Sequence, residues 1–514
     1  MNIVSVAQMR ALEAAAVAAG TSEAALQQRA GRAVAEEVFR LLRPDERVVV
    51  LVGHGNNGRD GAVAAEWLGR HGVPVDVVLT PRHGISLDEL ASLRAGGAVL
   101  ISNEDHSGVE RALGGARVAL DALAGIGTRG ALREPLASVA ARVNEARTAR
   151  GNSLQVVALD IPSGTDAESG EVSGAAVSAD CTVTLGGVKQ GLLRFPAAAC
   201  VGKLVARDIG IPESAGTDQP YGVLGAPELG RLVPPRPLSA HKYRFGRLLV
   251  VAGTDHFPGA AVLCSGAAAR VGAGLVTLAS SREVRLNTAV HLPEVTYTEN
   301  DVVCADGAAA ALLLATRLAA ASSVVVGPGL GRGPGTTAFV HAILTQRKPE
   351  QRLVLDADAL FALAHIEGWP RLLGSNAVLT PHSGELEHLV GSELDPAEPA
   401  WIQAGRLARE WGCVLIAKGP FTCIAAPDGR VDVWPHANPA LATGGTGDVL
   451  AGICGGLLAQ GLTAWDGARL AVGAHGLAAE GVLQRRRWRT LLASDLLHEL
   501  PATLQTLWAA SRRR

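Results

Sequence analysis

Residues 48–61 read VVVLVGHGNNGRDG, five apolar residues followed directly by a polar loop rich in glycine. A continuous apolar run of this length is typical of a strand that is buried on both faces, as in a parallel sheet covered by helices. Similar runs recur at 75–79, 118–123, 155–159 and 182–185, separated by alanine-rich stretches with helical spacing. The pattern predicts a parallel α/β domain.

A second series of apolar runs follows a proline-rich stretch. Six prolines lie between residues 211 and 246, where no regular periodicity is visible for most of the length. We therefore predict a linker at 216–245, which divides the chain into domains at 1–215 and 246–514. The second domain is predicted to be α/β as well, with a helical last third. Its predicted strands are 248–252, 276–279, 323–326, 353–355, 377–379, 413–417 and 423–425.

The composition narrows the class of protein. Of 514 residues, 48% are hydrophobic and 19% are charged, which indicates a globular chain rather than a disordered one. The net charge of -2 argues against a dedicated partner among nucleic acids or anionic membranes. Seven scattered cysteines without a CxxC pair favour a reducing, cytoplasmic compartment and argue against disulfides or a zinc centre. We predict neither a signal peptide nor a membrane span.

The loop at 53–61 has glycines with the spacing GxGxxG, which by itself suggests dinucleotide binding. Two observations weaken this interpretation. Asp76, the candidate ribose-binding acid, falls inside an apolar run rather than at its end. Asn56, Asn57 and Asp60 add side-chain oxygens to a loop that would need bare backbone N–H groups to bind a pyrophosphate. We therefore favour a loop that binds a cation or ribose hydroxyls over a simple tight turn.

Polar residues also follow two further predicted strands of the first domain. Asp121 ends one apolar run, and Asp160 and Ser163 follow the next. Because the carboxyl ends of parallel strands meet at one edge of a sheet, these residues are expected near Asn57. Oxygen ligands of this kind suit a monovalent cation, and Asp160 is a candidate for proton transfer. Each aspartate taken alone could equally cap the segment that follows it.

In the second domain the most specific stretch is NPALATGGTGD at 438–448, immediately before a predicted helix. Glycines at a helix N-terminus direct N–H groups at an anion, so a transferring phosphoryl group is expected there. Asp448, in the first helical turn, is a candidate base for a substrate hydroxyl. The alternative is an ordinary glycine turn with a first-turn aspartate. Four further loops follow predicted strands, at 327–331, 356–360, 379–385 and 418–422.

The segments GHGNNGRDG, VALDALAGIGTRG and ALDIPSG, in this order, resemble the NAD(P)H-hydrate epimerase family, known from its YjeF N-terminal domain. The resemblance covers the first two fifths of the chain and implies a Rossmann-like three-layer α/β/α fold. It implies a potassium site at Asn57, Asp121 and Ser163, and a catalytic carboxylate at Asp160 that also contacts substrate. It further implies two substrate-binding loops, comprising Asn56, Asn57, Gly58, Arg59 and Asp60, and Gly125, Ile126, Gly127, Thr128, Arg129, Gly130 and Ala131.

The later loops resemble the ribokinase-like superfamily, and LTPHSGE and NPALATGGTGD resemble the ADP-dependent NAD(P)H-hydrate dehydratase family in particular. This resemblance runs from about Tyr243 onward and implies that Asp448 is the catalytic base. Magnesium would neutralise the phosphates of the co-substrate ADP, with Asp356 and Asp358 either structural or acting through water. The implied hydrate contacts are Ala260, Gly329, His382 and Asp448; the nucleotide contacts are Lys418, Gly419, Pro420, Phe421, Thr422 and Gly447; the anion hole is Gly445, Thr446 and Gly447.

Together the resemblances imply a bifunctional enzyme that repairs hydrated NADH and NADPH. It would interconvert the R and S epimers and dehydrate the S form with ADP, giving AMP and phosphate. The expected partners are small molecules, and we expect self-association into a homo-oligomer.

Three alternatives remain at this level. The second domain could be a kinase that stops at a phosphoester, and the first could be a scaffold module. A nicotinamide-dependent dehydrogenase rests on the GxGxxG spacing alone.

Overall fold

The computed structural model describes residues 1–211, 221–486 and 489–512. The chain divides into two compact units, Met1–Gln219 and Pro220–Arg514. Each unit is built on its own sheet, and both are α/β, as the sequence predicts.

Unit 1 contains a sheet of seven parallel strands in the order β4-β3-β2-β5-β6-β7-β9. The strands are β2 (Arg47–Val52), β3 (Val75–Leu79), β4 (Val99–Ser102), β5 (Ala116–Ala122), β6 (Gln155–Leu159), β7 (Cys181–Leu185) and β9 (Lys203–Arg207), and a separate parallel pair is formed by β1 (Ile3–Val4) and β8 (Val188–Lys189).

Helices cover both faces of this sheet. Val48, Val50 and Val52 of β2 belong to one apolar cluster, and Val49 and Leu51 belong to a second cluster on the opposite face. This double burial explains why β2 has no polar face and confirms the three-layer prediction. The helices are α1 (Val6–Ala18), α2 (Glu23–Phe39), α3 (Asn56–Arg70), α4 (Leu87–Ala95), α5 (His106–Gly115), α6 (Leu136–Arg150) and α7 (Ala198–Val201).

Unit 2 contains a ten-stranded sheet in the order β10-β19-β18-β17-β16-β15-β14-β11-β12-β13. It is parallel except at β18, which runs antiparallel to both of its neighbours. Its strands are β10 (Tyr221–Val223), β11 (Arg247–Val251), β12 (Leu275–Ala279), β13 (Thr296–Tyr297), β14 (Ser323–Val326), β15 (Arg352–Leu355), β16 (Ala377–Leu379), β17 (Val414–Ala417), β18 (Cys423–Ala425) and β19 (Val431–Val433).

The helices of unit 2 surround one large core, in which the central helix α17 is buried along almost its whole length. This helix carries Asp448 in its first turn, so the core positions the candidate base. The helices are α8 (Ala226–Leu232), α9 (Pro258–Arg270), α10 (Arg282–His291), α11 (Ala308–Leu312), α12 (Ala315–Ala320), α13 (Pro334–Gln346), α14 (Asp358–Ala364), α15 (Ser383–Val390), α16 (Ala400–Trp411), α17 (Thr446–Ala459), α18 (Ala464–Arg486) and α19 (Ala493–Ala510).

The stretch interpreted as a linker differs from that expectation. Its first residues, 216–220, lie outside the described part of the chain. The remainder, 221–245, belongs to unit 2: β10 pairs with β19, and α8 packs against α18 and α19. Pro227 in the first turn of α8, and Pro234, Pro235 and Pro237 in the segment after it, gave the composition of a linker to residues that belong to unit 2.

Two candidate active sites

In unit 1 the three residues of the implied potassium site lie together, although they come from the start of α3, the end of β5 and the segment after β6. The Ser163 hydroxyl donates to Asp121 Oδ1 at 2.6 Å, and the Ser163 backbone N–H donates to Asp121 Oδ2 at 2.8 Å. The Asn57 amide donates to the carbonyl oxygen of Ala124 at 3.1 Å, and Ala124 also bonds to the Ser163 hydroxyl. Asn57, Asp121, Ala124 and Ser163 are hereafter called the oxygen cluster.

The chemistry of the oxygen cluster fits a monovalent cation. Asp121 is fully buried, its hydrogen-bond partners are neutral, and burial raises its pKa to about 6. A single positive charge would balance the carboxylate, and hard oxygen donors suit it. Among the described residues, no group of three or more His, Cys, Asp or Glu side chains could hold a metal ion.

Asp160 directly follows β6 and adopts a left-handed backbone conformation, with φ of +67°. Its Oδ1 accepts from the backbone N–H of Leu185 at 3.1 Å and from the ammonium of Lys189, a side chain only 1% exposed. Lys189 Nζ also donates to the Leu185 carbonyl at 2.7 Å. The pair gives Asp160 a defined orientation and a buried counter-ion. An aspartate forced to positive φ is uncommon and typical of functional sites.

Two more carboxyl groups interact electrostatically with this pair. Burial, followed by the negative charges of Asp160 and Glu13, raises the pKa of Asp60 well above its usual range. Asp60 Oδ1 is buried without a hydrogen-bond partner. Burial likewise raises the pKa of Glu13, on α1. Three carboxyls around one ammonium therefore favour a protonated Asp60.

The two implied substrate loops differ in structure. Asn56–Asp60 forms the first turn of α3 rather than a free loop, with Asn57 and Gly58 buried and Arg59 exposed. A Cβ on Gly58 would lie 2.1 Å from the Gly53 carbonyl, so only glycine fits there. The second loop, Gly125–Ala131, follows β5 and is largely exposed. Asp76 lies inside β3 and pairs with Arg47 at 2.9 Å, so it is not a ribose ligand.

In unit 2 Asp448 is mostly buried at the start of α17, directly after the glycines. Burial, and then the charge of Asp356, raises its pKa to about 7, while Lys418 opposes the shift. A carboxyl with this pKa can accept a proton near neutral pH. Gly445 has φ of +89°, which turns the chain into the helix. The Thr446 hydroxyl donates to the carbonyls of Leu441 and Thr443, and the Thr446 backbone N–H also donates to the Thr443 carbonyl, at 3.4 Å.

Lys418 directly follows β17 and pairs with carboxylates from the segments after β15 and β16. Its ammonium lies 2.9 Å from Asp356 Oδ1 and 3.7 Å from Glu385 Oε2. Asp356 is 1% exposed and also accepts from the Thr380 hydroxyl at 2.7 Å. Burial lowers the pKa of Lys418, but the two carboxylates outweigh it and the net shift is upward. The ammonium is therefore a permanent cation beside Gly447.

Two of the implied hydrate contacts, Ala260 and Gly329, are adjacent in the structure. A Cβ on Gly329 would lie 3.0 Å from that of Ala260, so these two residues touch across the loop after β14 and the start of α9. His382 is 58% exposed in its side chain, and it caps α15 by accepting from the Glu385 N–H at 3.3 Å. It also pairs with Lys418 in a short parallel bridge. The remaining implied nucleotide contacts, Gly419, Pro420, Phe421 and Thr422, form the turn between β17 and β18.

The sequence did not single out Lys189, Glu13 or Glu385 for any role. Lys189 and Glu385 each contact a predicted site residue directly. The sequence did contain one signal for Lys189, because a lysine beside the apolar segment at 191–193 is in an unusual position for a charged residue. Its partner Asp160 lies 29 residues away, so the sequence did not indicate the pair.

The fold and the two sites define a two-domain α/β enzyme, with polar residues gathered at the carboxyl ends of the strands in a Rossmann-like unit and in a ribokinase-like unit. The family model of the YjeF-related protein N-terminus matches residues 23–191, and the model described as NAD(P)H-hydrate dehydratase matches 248–502. A ribokinase-like superfamily protein from Enterococcus faecalis superimposes with a TM-score of 0.50 at 24% identity, covering 57% of this chain and 98% of that one. This likeness concerns the fold.

Relatives match along nearly the whole chain. The bifunctional NAD(P)H-hydrate repair enzyme of Moorella thermoacetica is 36% identical over 94% of this chain and 92% of its own length. The protein of the same name from Salinibacter ruber is 37% identical, with 95% and 93% covered. The chain belongs to the family of bifunctional NAD(P)H-hydrate repair enzymes, with an epimerase and a dehydratase domain. No described helix is long and apolar enough to cross a membrane.

Proposed function

We propose that unit 2 dehydrates the S epimer of hydrated NADH or NADPH with ADP as phosphoryl donor. The observation that carries the proposal is Asp448, a buried carboxyl with a pKa of about 7, at a glycine-rich helix start beside the Lys418–Asp356 pair. Asp448 takes the proton of the ring hydroxyl as its oxygen attacks the β-phosphorus, and AMP leaves. The backbone N–H groups of Gly445–Gly447 and the Lys418 ammonium stabilise the phosphoryl charge. Loss of phosphate and a ring proton then restores the double bond.

Magnesium, bound with the nucleotide, would neutralise phosphate charge. The residues fit a water-mediated role, because Asp356 Oδ1 already accepts from Lys418 and Thr380, and Asp358 from Gly331 and Arg332. Ala260, Gly329 and His382 are proposed to contact the hydrate. Lys418, Gly419, Pro420, Phe421, Thr422 and Gly447 are proposed to bind the nucleotide.

Unit 1 is proposed to interconvert the R and S epimers. Asp160 and Asp60 serve as the proton-transfer groups, because Lys189 orients the Asp160 carboxylate and burial raises the pKa of Asp60 well above its usual range. Loss of the ring hydroxyl as water, assisted by the ring nitrogen, and its return to the other face change only the configuration. Asn56–Asp60 and Gly125–Ala131 are proposed to bind the dinucleotide. Potassium held by the oxygen cluster would order the loops that carry these residues.

The test uses absorbance of the reduced nicotinamide ring after the enzyme, magnesium and a nucleotide are added to a mixture of both epimers. We expect recovery of both epimers with ADP, with AMP and phosphate as products. Parallel assays with ATP decide the donor. Accumulation of a stable phosphoester would instead indicate a kinase, and absence of recovery with either nucleotide would refute the dehydratase proposal.

Potassium removal tests the oxygen cluster. Replacing potassium by tetramethylammonium is expected to slow epimerisation. Without the cation, the charge of Asp121 would be uncompensated, and this would loosen the packing of the three segments that carry Asn57, Asp121 and Ser163. Ser163→Ala should be slow in both salts. If potassium accelerates the Ser163→Ala variant as much as the unmodified chain, the cation acts elsewhere. Epimerisation is followed by the R fraction that remains when dehydratase activity is in excess.

A further inference from the structure

A groove of about 820 Å³ lies beside the proposed dehydratase site in unit 2 and is used by none of the steps above. One wall is the outer side of α13, from Pro334 to His341, and the other is the end of α14 with His365. Arg332 stands at its rim. The volume is that of a pocket for a nucleotide-sized ligand.

The rim of the groove is joined by hydrogen bonds to Asp358, which interacts electrostatically with Asp448 in the proposed dehydratase site. Asp358 accepts from the backbone N–H of Gly331 and from Arg332 Nε, both at 2.9 Å, and its charge contributes to the raised pKa of Asp448. Gly331 and Arg332 follow Gly329, the proposed hydrate contact. The rim of the groove therefore belongs to the same loop as a proposed hydrate contact.

The groove has the chemistry of a phosphate and nucleoside site. The Arg332 side chain is 56% exposed, and its guanidinium lies 4.7 Å above the centre of the Phe361 ring, which stacks on His388. This stacking orients a planar cation, which suits phosphate contacts. His341 and His365 add imidazole groups to the lining, and Glu367 adds a carboxylate.

We propose that this groove binds the adenosine-phosphate half of the hydrated dinucleotide, with Arg332 on a phosphate. The inference rests on the proposed dehydratase function. If the reacting ring lies at Asp448 and ADP occupies the turn at 418–422, the other half of the substrate needs a separate surface. The groove is adjacent and large enough, and its rim carries the exposed guanidinium of Arg332, whose Nε is hydrogen-bonded to Asp358.

The experiment compares the hydrates of NADH and of reduced nicotinamide mononucleotide, which keeps the reacting ring but lacks the adenosine-phosphate half. The readout is the kcat/KM for the NADH hydrate divided by the kcat/KM for the mononucleotide hydrate. Arg332→Gln is expected to lower this ratio about tenfold, mainly through a higher KM for the dinucleotide, because a charge-assisted hydrogen bond is lost. Ala338→Trp, which fills the groove without removing a contact, should lower it as well.

Two matched variants control for general effects. Arg406→Gln removes a cation with the same exposure, 55%, that is also paired with a carboxylate, and Ala509→Trp adds a bulky residue at an exposed position outside the groove. Both should leave the ratio unchanged. An unchanged ratio in both groove variants, in a chain that restores NADH, would overturn the groove assignment alone. Failure of the unmodified chain to act on either hydrate would instead refute the underlying function.

Discussion

At the scale of single residues, the protonation state of Asp448 controls the proposed dehydration. Its ionised form is the base. Dehydratase activity should therefore be highest at pH values above the Asp448 pKa of about 7 and should fall as the pH drops below that value. We expect kcat/KM for the S hydrate to decrease about tenfold per pH unit below 7 and to level off above it. A profile that stays flat down to pH 5 would exclude Asp448 as the base.

Replacing this carboxyl tests the same role without a change of pH. Asp448→Asn should lower the dehydration rate by a factor of about 10² to 10⁴, since the hydroxyl then loses its proton acceptor. Asp466→Asn, at the start of α18 in the same unit, is the matched control and should keep full activity. Equal losses in both variants would indicate a general effect of removing a carboxylate.

Lys189 is the second residue with a sharp expectation. Lys189→Met leaves Asp160, whose side chain is 13% exposed, without its cation and should destabilise unit 1 by about 3 kcal/mol. The double variant Lys189→Met with Asp160→Asn removes both charges. Its loss of unfolding free energy should be smaller than the sum of the losses in the two single variants. Calorimetry of the intact chain measures this, with the exposed Lys203→Met as control. Additive effects would show that the two groups are not coupled.

At the scale of elements, the position of α17 depends on glycines that face α9. A Cβ on Gly452 would lie 2.2 Å from the carbonyl oxygen of Cys264. Gly452→Ala therefore has to displace the helix that carries Asp448, and we expect a loss of about 1 to 3 kcal/mol in unit 2 together with slower dehydration. Gly114→Ala, in a helix of unit 1 with no atom within 4 Å, should do neither. Normal dehydration by Gly452→Ala would show that the packing of α17 tolerates the added methyl group.

At the scale of the whole molecule, the two activities are expected to be separable. Asp160→Ala should stop epimerisation and still allow recovery of the S fraction, whereas Asp448→Asn should epimerise without recovery. Because the released epimer can diffuse, a mixture of the two variant chains should restore NADH from both epimers. The absorbance assay above follows this directly. A mixture that recovers only the S fraction would mean that epimerisation requires both activities in one chain.

Self-association remains an expectation from the sequence, and so does a cytoplasmic location.

The seven cysteines are free thiols in the structure. Burial raises the pKa of Cys181 to about 11 and that of Cys413 to about 12, so these thiols are poor nucleophiles at neutral pH.

The sequence by itself determined the central strands and the loops that follow them. The runs at 75–79, 155–159, 323–326 and 377–379 are strands with the predicted bounds, because a parallel strand buried on both faces requires consecutive apolar residues. Parallel pairing then brings Asn57, Asp121 and Ser163 to one edge, as expected from their positions after strands.

Only the tertiary structure decided the edges of the sheets and the electrostatics of the sites. Strand β10 is short and half-exposed and carries no apolar run, so it was hidden in the presumed linker. Strand β4 contains the apolar residues Val99, Leu100 and Ile101 at a half-exposed sheet edge, and it was not predicted from the sequence. The Lys189–Asp160 pair joins residues whose contact depends on β8 lying beside β1. The raised pKa values of Asp60 and Asp448 likewise arise from what packs around them, because desolvation is a property of the folded surroundings and not of the local sequence.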